Sequence, residues 1–188
     1  MREETHYCLF DTDLGACGIA WSAQGLTRFQ LPEADRGATE KRLRAIAAGR
    51  GPEAPPQQVE QVIADVQRYT AGERVDFASI VLDLTGVSPF YCKVYDAARR
   101  VGWGATATYG ELARQAGSPG AARGVGQALS RNPIAVIIPC HRILASGNKV
   151  GGFSAFGGTV SKQRLLALEG VRVGATMAAG QLSFSERW

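Results

Sequence analysis

Residues 132–142 read Asn-Pro-Ile-Ala-Val-Ile-Ile-Pro-Cys-His-Arg. Pro133 cannot continue a helix, and five apolar residues separate it from a second proline, Pro139. Proline fixes its own φ and lacks the N–H that a ladder needs. The run Ile134 to Ile138 therefore reads as one short buried strand that must bend at Pro139. That bend delivers a thiol beside an imidazole, Cys140 and His141, followed by Arg142. The 188 residues contain only two histidines, so the placement of one of them here carries weight. Neighbours on a strand point to opposite faces, so the two side chains can cooperate only if the chain leaves the strand. A short helical turn starting at Cys140 is expected, with its positive dipole end near the sulfur. Asn132, eight residues upstream, is placed to pin that turn by side-chain hydrogen bonds.

A free thiol with a pKa of ~8.5 is only a few per cent thiolate at neutral pH, and the thiolate is the nucleophile. An imidazole that takes the proton raises that fraction and forms an ion pair. A buried structural cysteine with an unrelated histidine beside it is the bland alternative. Glu169, at the end of the last helical segment, could orient His141 in a Cys-His-Glu relay; taken alone it reads as a solvated helix-end carboxylate.

The preceding segment supplies context. Ser88-Pro89 opens a helix with a hydroxyl cap and a proline in the first turn. Phe90, Val94, Ala97, Ala98 and Val101 form its inner stripe. Thr108-Tyr109-Gly110-Glu111 has capping-box spacing and begins a short helix ending at Gly117. Ser118-Pro119 is expected to cap the next helix, with Ala122, Val125, Gly126 and Leu129 facing inward. Two short helices joined by a tight turn form a helix-turn-helix, a nucleic-acid reader. Ile143–Val150 reads as a hairpin or wing, and a final helix covers about Thr159–Glu169. Ahead of Thr85-Gly86-Val87 lie three alternating segments, Tyr7–Phe10, Cys17–Trp21 and Leu26–Leu31, separated by turn residues and expected to form an antiparallel meander. Helices follow at about Thr39–Ala48 and Gln57–Ala71, the second with Val59, Val62, Ile63 and Val66 on one face, and Phe77–Leu84 reads as a strand. The fold class is α+β, divided at 1–87 and 88–188. No chemistry is expected in the first part.

The charge follows the same division. Residues 1–87 carry 9 Lys/Arg against 13 Asp/Glu, and residues 88–188 carry 12 against 4, so −4 becomes +8. A swing of this size favours a polyanion-binding second half over a merely solvated surface. No apolar run approaches the ~20 residues of a membrane span. The charged start Met1-Arg2-Glu3-Glu4 lacks the core of a signal peptide, and four scattered cysteines do not form a disulfide framework. A cytoplasmic protein with free thiols is expected. His6, Cys8 and Cys17 lack standard zinc-ligand spacing, and no metal or other cofactor is expected.

The run Asn132 to Ile143, with the helix pair ahead of it, closely resembles the active-site segment of the O6-alkylguanine-DNA alkyltransferases. The resemblance extends from about Ser88 to Gly170. It implies a small ribonuclease-H-like first domain, which the strand-rich N-terminal part fits more loosely, and a winged helix-turn-helix-like, mainly helical second domain. It also implies direct repair of double-stranded DNA: an O6-alkylguanine is flipped out, its alkyl group moves to Cys140 as a stable thioether, and the protein is spent. In that reading His141 deprotonates Cys140 through a water, Glu169 orients His141, and Tyr109 assists base rotation and protonates the leaving guanine. Arg123 matches an arginine that fills the gap left by the flipped base; without the motif it is a surface arginine. Ala121, Ala122 and Gly126 match small residues that let a helix enter the minor groove. Gly110, Ser118 and Ser146 match positions contacting the DNA backbone. Val150, Gly151, Gly152, Phe153 and Ser154 match the loop lining the guanine pocket, with Arg142 and Lys162 beside it, although Lys162 reads equally as a solvated helix lysine. Phe153 stands where members commonly have tyrosine, so a hydroxyl contact is lost. A monomer without an obligate protein partner is implied, bound to DNA.

Two other readings use the same residues. A cysteine hydrolase would employ the relay for acyl transfer, but no oxyanion hole or peptide groove is evident and the helix pair would have no task. A non-catalytic lesion sensor would bind DNA without the reactive cysteine, which this chain retains.

Overall fold

The antiparallel meander is present as β1 (His6–Thr12), β2 (Gly15–Ser22) and β3 (Gly25–Gln30), in the order β1-β2-β3. The computed structural model describes residues 4–173. Met1–Glu3 of the charged start, and the end of the expected second domain, lie outside them. Helices α1 (Arg36–Ile46) and α2 (Gln57–Thr70) pack on the sheet. Helix α1 begins three residues ahead of the expected start, because Asp35 caps it by accepting the Ala38 N–H at 2.7 Å.

The expected strand Phe77–Leu84 is not regular. It touches β3 through one bridge, Leu26 to Leu82. Arg99 Nη2 donates to the carbonyls of Phe77, Ala78 and Ile80 at 2.9–3.0 Å. Those acceptors are turned toward one guanidinium and cannot serve a ladder.

Beyond residue 88 come α3 (Pro89–Arg99), β4 (Ala107–Thr108), α4 (Tyr109–Gln115), α5 (Ala122–Ser130), a 3₁₀ turn (Cys140–Arg142), β5 (Ile143–Leu144) and α6 (Gly158–Leu168). Ser88 caps α3 with Pro89 in its first turn, and Thr108 and Glu111 form the reciprocal capping box of α4. Ser118 does not cap α5. That helix starts at Ala122 without a side-chain cap, and the Ser118 carbonyl instead accepts the Ala121 N–H in the preceding turn. The expected hairpin of Ile143–Val150 is reduced to one bridge, Ala145 to Lys149, around a turn at 146–148. Its first two residues, β5, pair in parallel with β4 instead.

The described residues thus form a mixed α/β fold of a small antiparallel sheet and six α-helices. One apolar cluster runs through both halves, from Ile19, Phe29 and Val66 to Val94, Leu112, Ile138 and Leu165. Each such large side chain stabilises the fold by roughly 1.5–3 kcal/mol when fully buried. Because that core is shared, β3 and α2 reach the Cys-His turn directly.

Candidate active site

Residues 134–138 do not form the expected strand. Ile134 makes a single bridge to Phe29 of β3, and Ala135 bridges Ile138 within the same segment. The Ile137 N–H donates to the Ala135 carbonyl at 2.8 Å across Val136, whose φ is +69°. This is a γ-turn, and a β-branched residue in that region is strained. A second three-residue turn follows at Pro139 (φ −79°, ψ 64°), where the Cys140 N–H donates to the Ile138 carbonyl at 2.8 Å. An apolar pattern of this length cannot distinguish a strand from such a doubly turned loop. Asn132 closes it: Nδ2 donates to the Ile138 carbonyl (2.8 Å) and to Cys140 Sγ (3.2 Å), while Oδ1 accepts the Ile134 N–H (3.0 Å). The chain then enters the 3₁₀ turn Cys140–Arg142, as the adjacency of thiol and imidazole requires.

Glu169, the C-cap of α6, is buried at 5% exposure rather than solvated. It accepts from His141 Nε2 (2.7 Å), from Arg142 Nε (2.9 Å) and Nη2 (2.9 Å), and from the Tyr69 hydroxyl (2.9 Å). Arg142 completes its own shell by donating Nη1 to the Val101 carbonyl. Burial pushes the Glu169 pKa up, but the hydrogen bonds and charges of His141 and Arg142 outweigh it and hold the carboxyl at about 2. An ionised Glu169 can only accept. His141 therefore carries its proton on Nε2 and leaves a lone pair on Nδ1, which is buried and has no protein hydrogen-bond partner. Burial lowers the His141 pKa, so the ring is held neutral at rest.

Tyr69 was not anticipated. It lies on α2, fully buried, with its hydroxyl also 3.2 Å from His141 Nε2. The signal was present: Tyr69 continues the stripe of Val62 and Val66, and a buried phenol must find a partner for its hydroxyl. Burial and the Glu169 charge raise its pKa well above 10, so it stays a donor.

No side-chain hydrogen bond joins His141 to Cys140, so the expected ion pair is absent from this resting arrangement. Burial raises the Cys140 pKa, and the opposing pull of Asn132 and Lys162 is smaller. The thiol is therefore protonated at neutral pH until a base removes its proton. Lys162 is fully buried, not solvated. Its Nζ donates to the carbonyls of Ile143 (2.5 Å) and Gly152 (3.2 Å), and burial lowers its pKa to about 8. It shares the buried face of α6 with Leu165 and Leu166.

Cys140 opens on a cleft of about 170 Å³, lined also by Asn132, Ala135, Phe153, Ser154 and Ala155, and by Arg28, Gln30, Arg42 and Arg131. Val150, Gly151 and Gly152 lie outside this lining. Gly151 has φ +70°, and a Cβ there would stand 3.3 Å from the Tyr109 hydroxyl. A Cβ on Gly126 would come within 4.0 Å of the same ring. Tyr109 is thus seated between two glycines, with Lys162 Nζ 5.9 Å from its ring centre. Arg123 is exposed in the first turn of α5, with Ala121, Ala122 and Gly126 partly buried beside it. Gly110 lies in the first turn of α4, Ser118 follows that helix, and Ser146 is exposed on the 146–148 turn.

Residues 89–171 match the family model described as the DNA-binding domain of 6-O-methylguanine DNA methyltransferase. The methylated-DNA–protein-cysteine methyltransferase of Mycobacterium bovis is 34% identical over 173 residues, 92% of this chain and 96% of that protein. The chain belongs to this methyltransferase family. The family's Mycolicibacterium paratuberculosis member is 47% identical over 114 residues, 61% of this chain and 67% of that protein. A Thermus thermophilus relative, 40% identical over 69% of this chain and 86% of its own length, is named a DNA base-flipping protein. The crystal structure of the Mycobacterium tuberculosis methyltransferase OGT in complex with DNA has a TM-score of 0.69 at 32% identity, covering 88% of this chain and 93% of that one.

Proposed function

We propose that the chain repairs O6-alkylguanine in double-stranded DNA by moving the alkyl group to Cys140, once per molecule. The observation that carries this reading is the Asn132-pinned thiol on one 3₁₀ turn with His141, whose Nε2 is fixed by ionised Glu169. That arrangement leaves Nδ1 as the base. A water between Nδ1 and Sγ would take the thiol proton as the alkyl carbon approaches, and the imidazolium formed would be stabilised by Glu169. Asn132 and Lys162 stabilise the charge on sulfur. The C–S bond forms, the O6–C bond breaks, and Tyr109 donates a proton to the leaving guanine. The thioether has no route back to thiol, so the reaction is stoichiometric.

Extruding a damaged nucleotide costs a few kcal/mol of stacking and pairing. In this reading Arg123 fills the vacated stack, while Ala121, Ala122 and Gly126 allow α5 into the minor groove. Gly110, Ser118 and Ser146 hold the backbone, and the 150–154 loop walls the base. The helix pair and the short bridge after it act as a winged helix-turn-helix-like domain, 88–188. The preceding 1–87 act as a ribonuclease-H-like domain. The protein works as a cytoplasmic, DNA-associated monomer.

Mixed with excess O6-methylguanine duplex, the protein should repair one guanine per chain and stop. Continued turnover would contradict the proposal. Arg123→Ala should slow repair by about tenfold through loss of the flipped state, yet change stability by less than about 0.5 kcal/mol because the side chain is exposed. Repair rates and thermal unfolding of the two proteins check this together. The similarity to the Thermus base-flipping protein makes a binding-only sensor the second reading; it predicts affinity for the lesion with no covalent label.

A further inference from the structure

The cleft at Cys140 has a basic wall that methyl transfer does not use. Arg28 of β3, Arg42 of α1 and Arg131 all line it, and no aspartate or glutamate does. Arg42 has its own carboxylate, Glu33, at 2.8 Å. Among the described residues the Arg131 guanidinium makes one side-chain hydrogen bond, donating Nη1 to the Tyr91 hydroxyl at 3.4 Å. Arg28 makes no ion pair among the described residues: its Nη2 donates to Gln30 Oε1 at 3.3 Å, and its Nε is buried without a hydrogen-bond partner. Burial and the nearby Arg42 charge lower the Arg28 pKa, with Glu33 opposing them. A half-buried guanidinium with an unsatisfied N–H is costly unless an anion reaches it.

The backbone explains how an N-terminal residue comes to sit there. The Phe29 N–H donates to the Pro133 carbonyl at 3.0 Å, which ties β3 to the loop carrying Cys140. Arg28 and Gln30 flank that contact and, two apart on a strand, face the same side.

We propose that Arg28 makes this cleft selective for O6 substituents ending in a carboxylate over neutral substituents of the same size. The inference rests on the alkyl-transfer reading and extends it to a substrate class. The thiolate attacks the CH2 carbon of an O6-carboxymethyl group, the C–S bond forms and the O6–C bond breaks. The electron pair goes to the guanine oxygen, the base takes up one proton, and the carboxylate stays on Cys140 as an S-carboxymethyl thioether. A guanidinium–carboxylate pair in a partly dehydrated cleft is charge-assisted and geometrically matched.

A phosphate of the DNA backbone offers the same anionic chemistry, and the test separates the two sources. Single-turnover rates are measured on one duplex carrying O6-methyl-, O6-carboxymethyl- or O6-carbamoylmethylguanine, the last being the neutral match of the second. The wild-type protein should react with the carboxymethyl lesion about tenfold faster than with the carbamoylmethyl lesion. Arg28→Gln should lower the carboxymethyl-to-methyl rate ratio by a similar factor, and Arg28→Lys should restore part of it. Equal wild-type rates on the two isosteres would overturn the proposal without any variant. A fall in Arg28→Gln that is the same for every lesion would also overturn it and assign the guanidinium to a phosphate. Absence of methyl transfer by the wild type would sink the underlying reading as well, whereas methyl transfer without carboxylate preference sinks this inference alone.

Discussion

Cys140→Ser should bind methylated duplex and repair none of it. The substitution removes one atom type from a site whose remaining geometry is backbone and Asn132, so the fold and the cleft are kept. The alcohol, however, has no accessible anion near neutral pH, and its oxygen is a weaker nucleophile toward a saturated carbon than sulfur. The thiol itself is not pre-ionised here, because burial raises its pKa. His141, Asn132 and Lys162 must together produce the anion during the reaction, and they can do so for a thiol but not for an alcohol. Loss of all methyl transfer with duplex affinity retained, measured by gel shift, is the expected pair of results. Loss of binding as well would mean that Cys140 holds the site together.

Glu169→Gln should be damaging twice over. In the wild type the carboxylate accepts from His141, Arg142 and Tyr69. The amide keeps one acceptor, leaves Arg142 buried without a counter-charge, and allows the imidazole to take the wrong tautomer. Breaking a buried pair from one side costs about 3–5 kcal/mol. Loss of the oriented base should slow repair on the order of 10²-fold at full saturation with DNA. The pH dependence carries a sign that a simple packing defect would not reproduce. The folded-state pKa of about 2 lies below the ordinary carboxylate value of 4.5. The stability Glu169 contributes is therefore complete above the unfolded pKa and lost as pH falls through the folded one. Urea unfolding of wild type and Glu169→Gln should differ most near neutrality and converge toward about pH 2.

Much of this site was legible in the sequence, and the exceptions have physical causes. The spacing of Asn132 from Cys140, the turn demanded by Pro139 and the caps at Ser88 and Thr108 all follow from local rules, and all are found. The strand expected at 134–138 is a pair of three-residue turns, since an apolar run reports burial but not conformation. A chain position alone cannot tell that Glu169 and Lys162 are buried charges, because long polar side chains are solvated unless tertiary partners meet them. Tyr69 and Arg28 were missed for one reason: both come from the N-terminal half, from which no chemistry was expected. They reach the site only because β3 and α2 share a core with the helices that follow.

The central claim is that one sulfur atom ends the reaction carrying the alkyl carbon. Intact-protein mass spectrometry with fragment mapping, after incubation with an O6-methylguanine duplex, tests it directly. The predicted result is a single methyl per chain, placed on Cys140. A methyl on Cys8, Cys17 or Cys92, or restored guanine with an unlabelled protein, would contradict it.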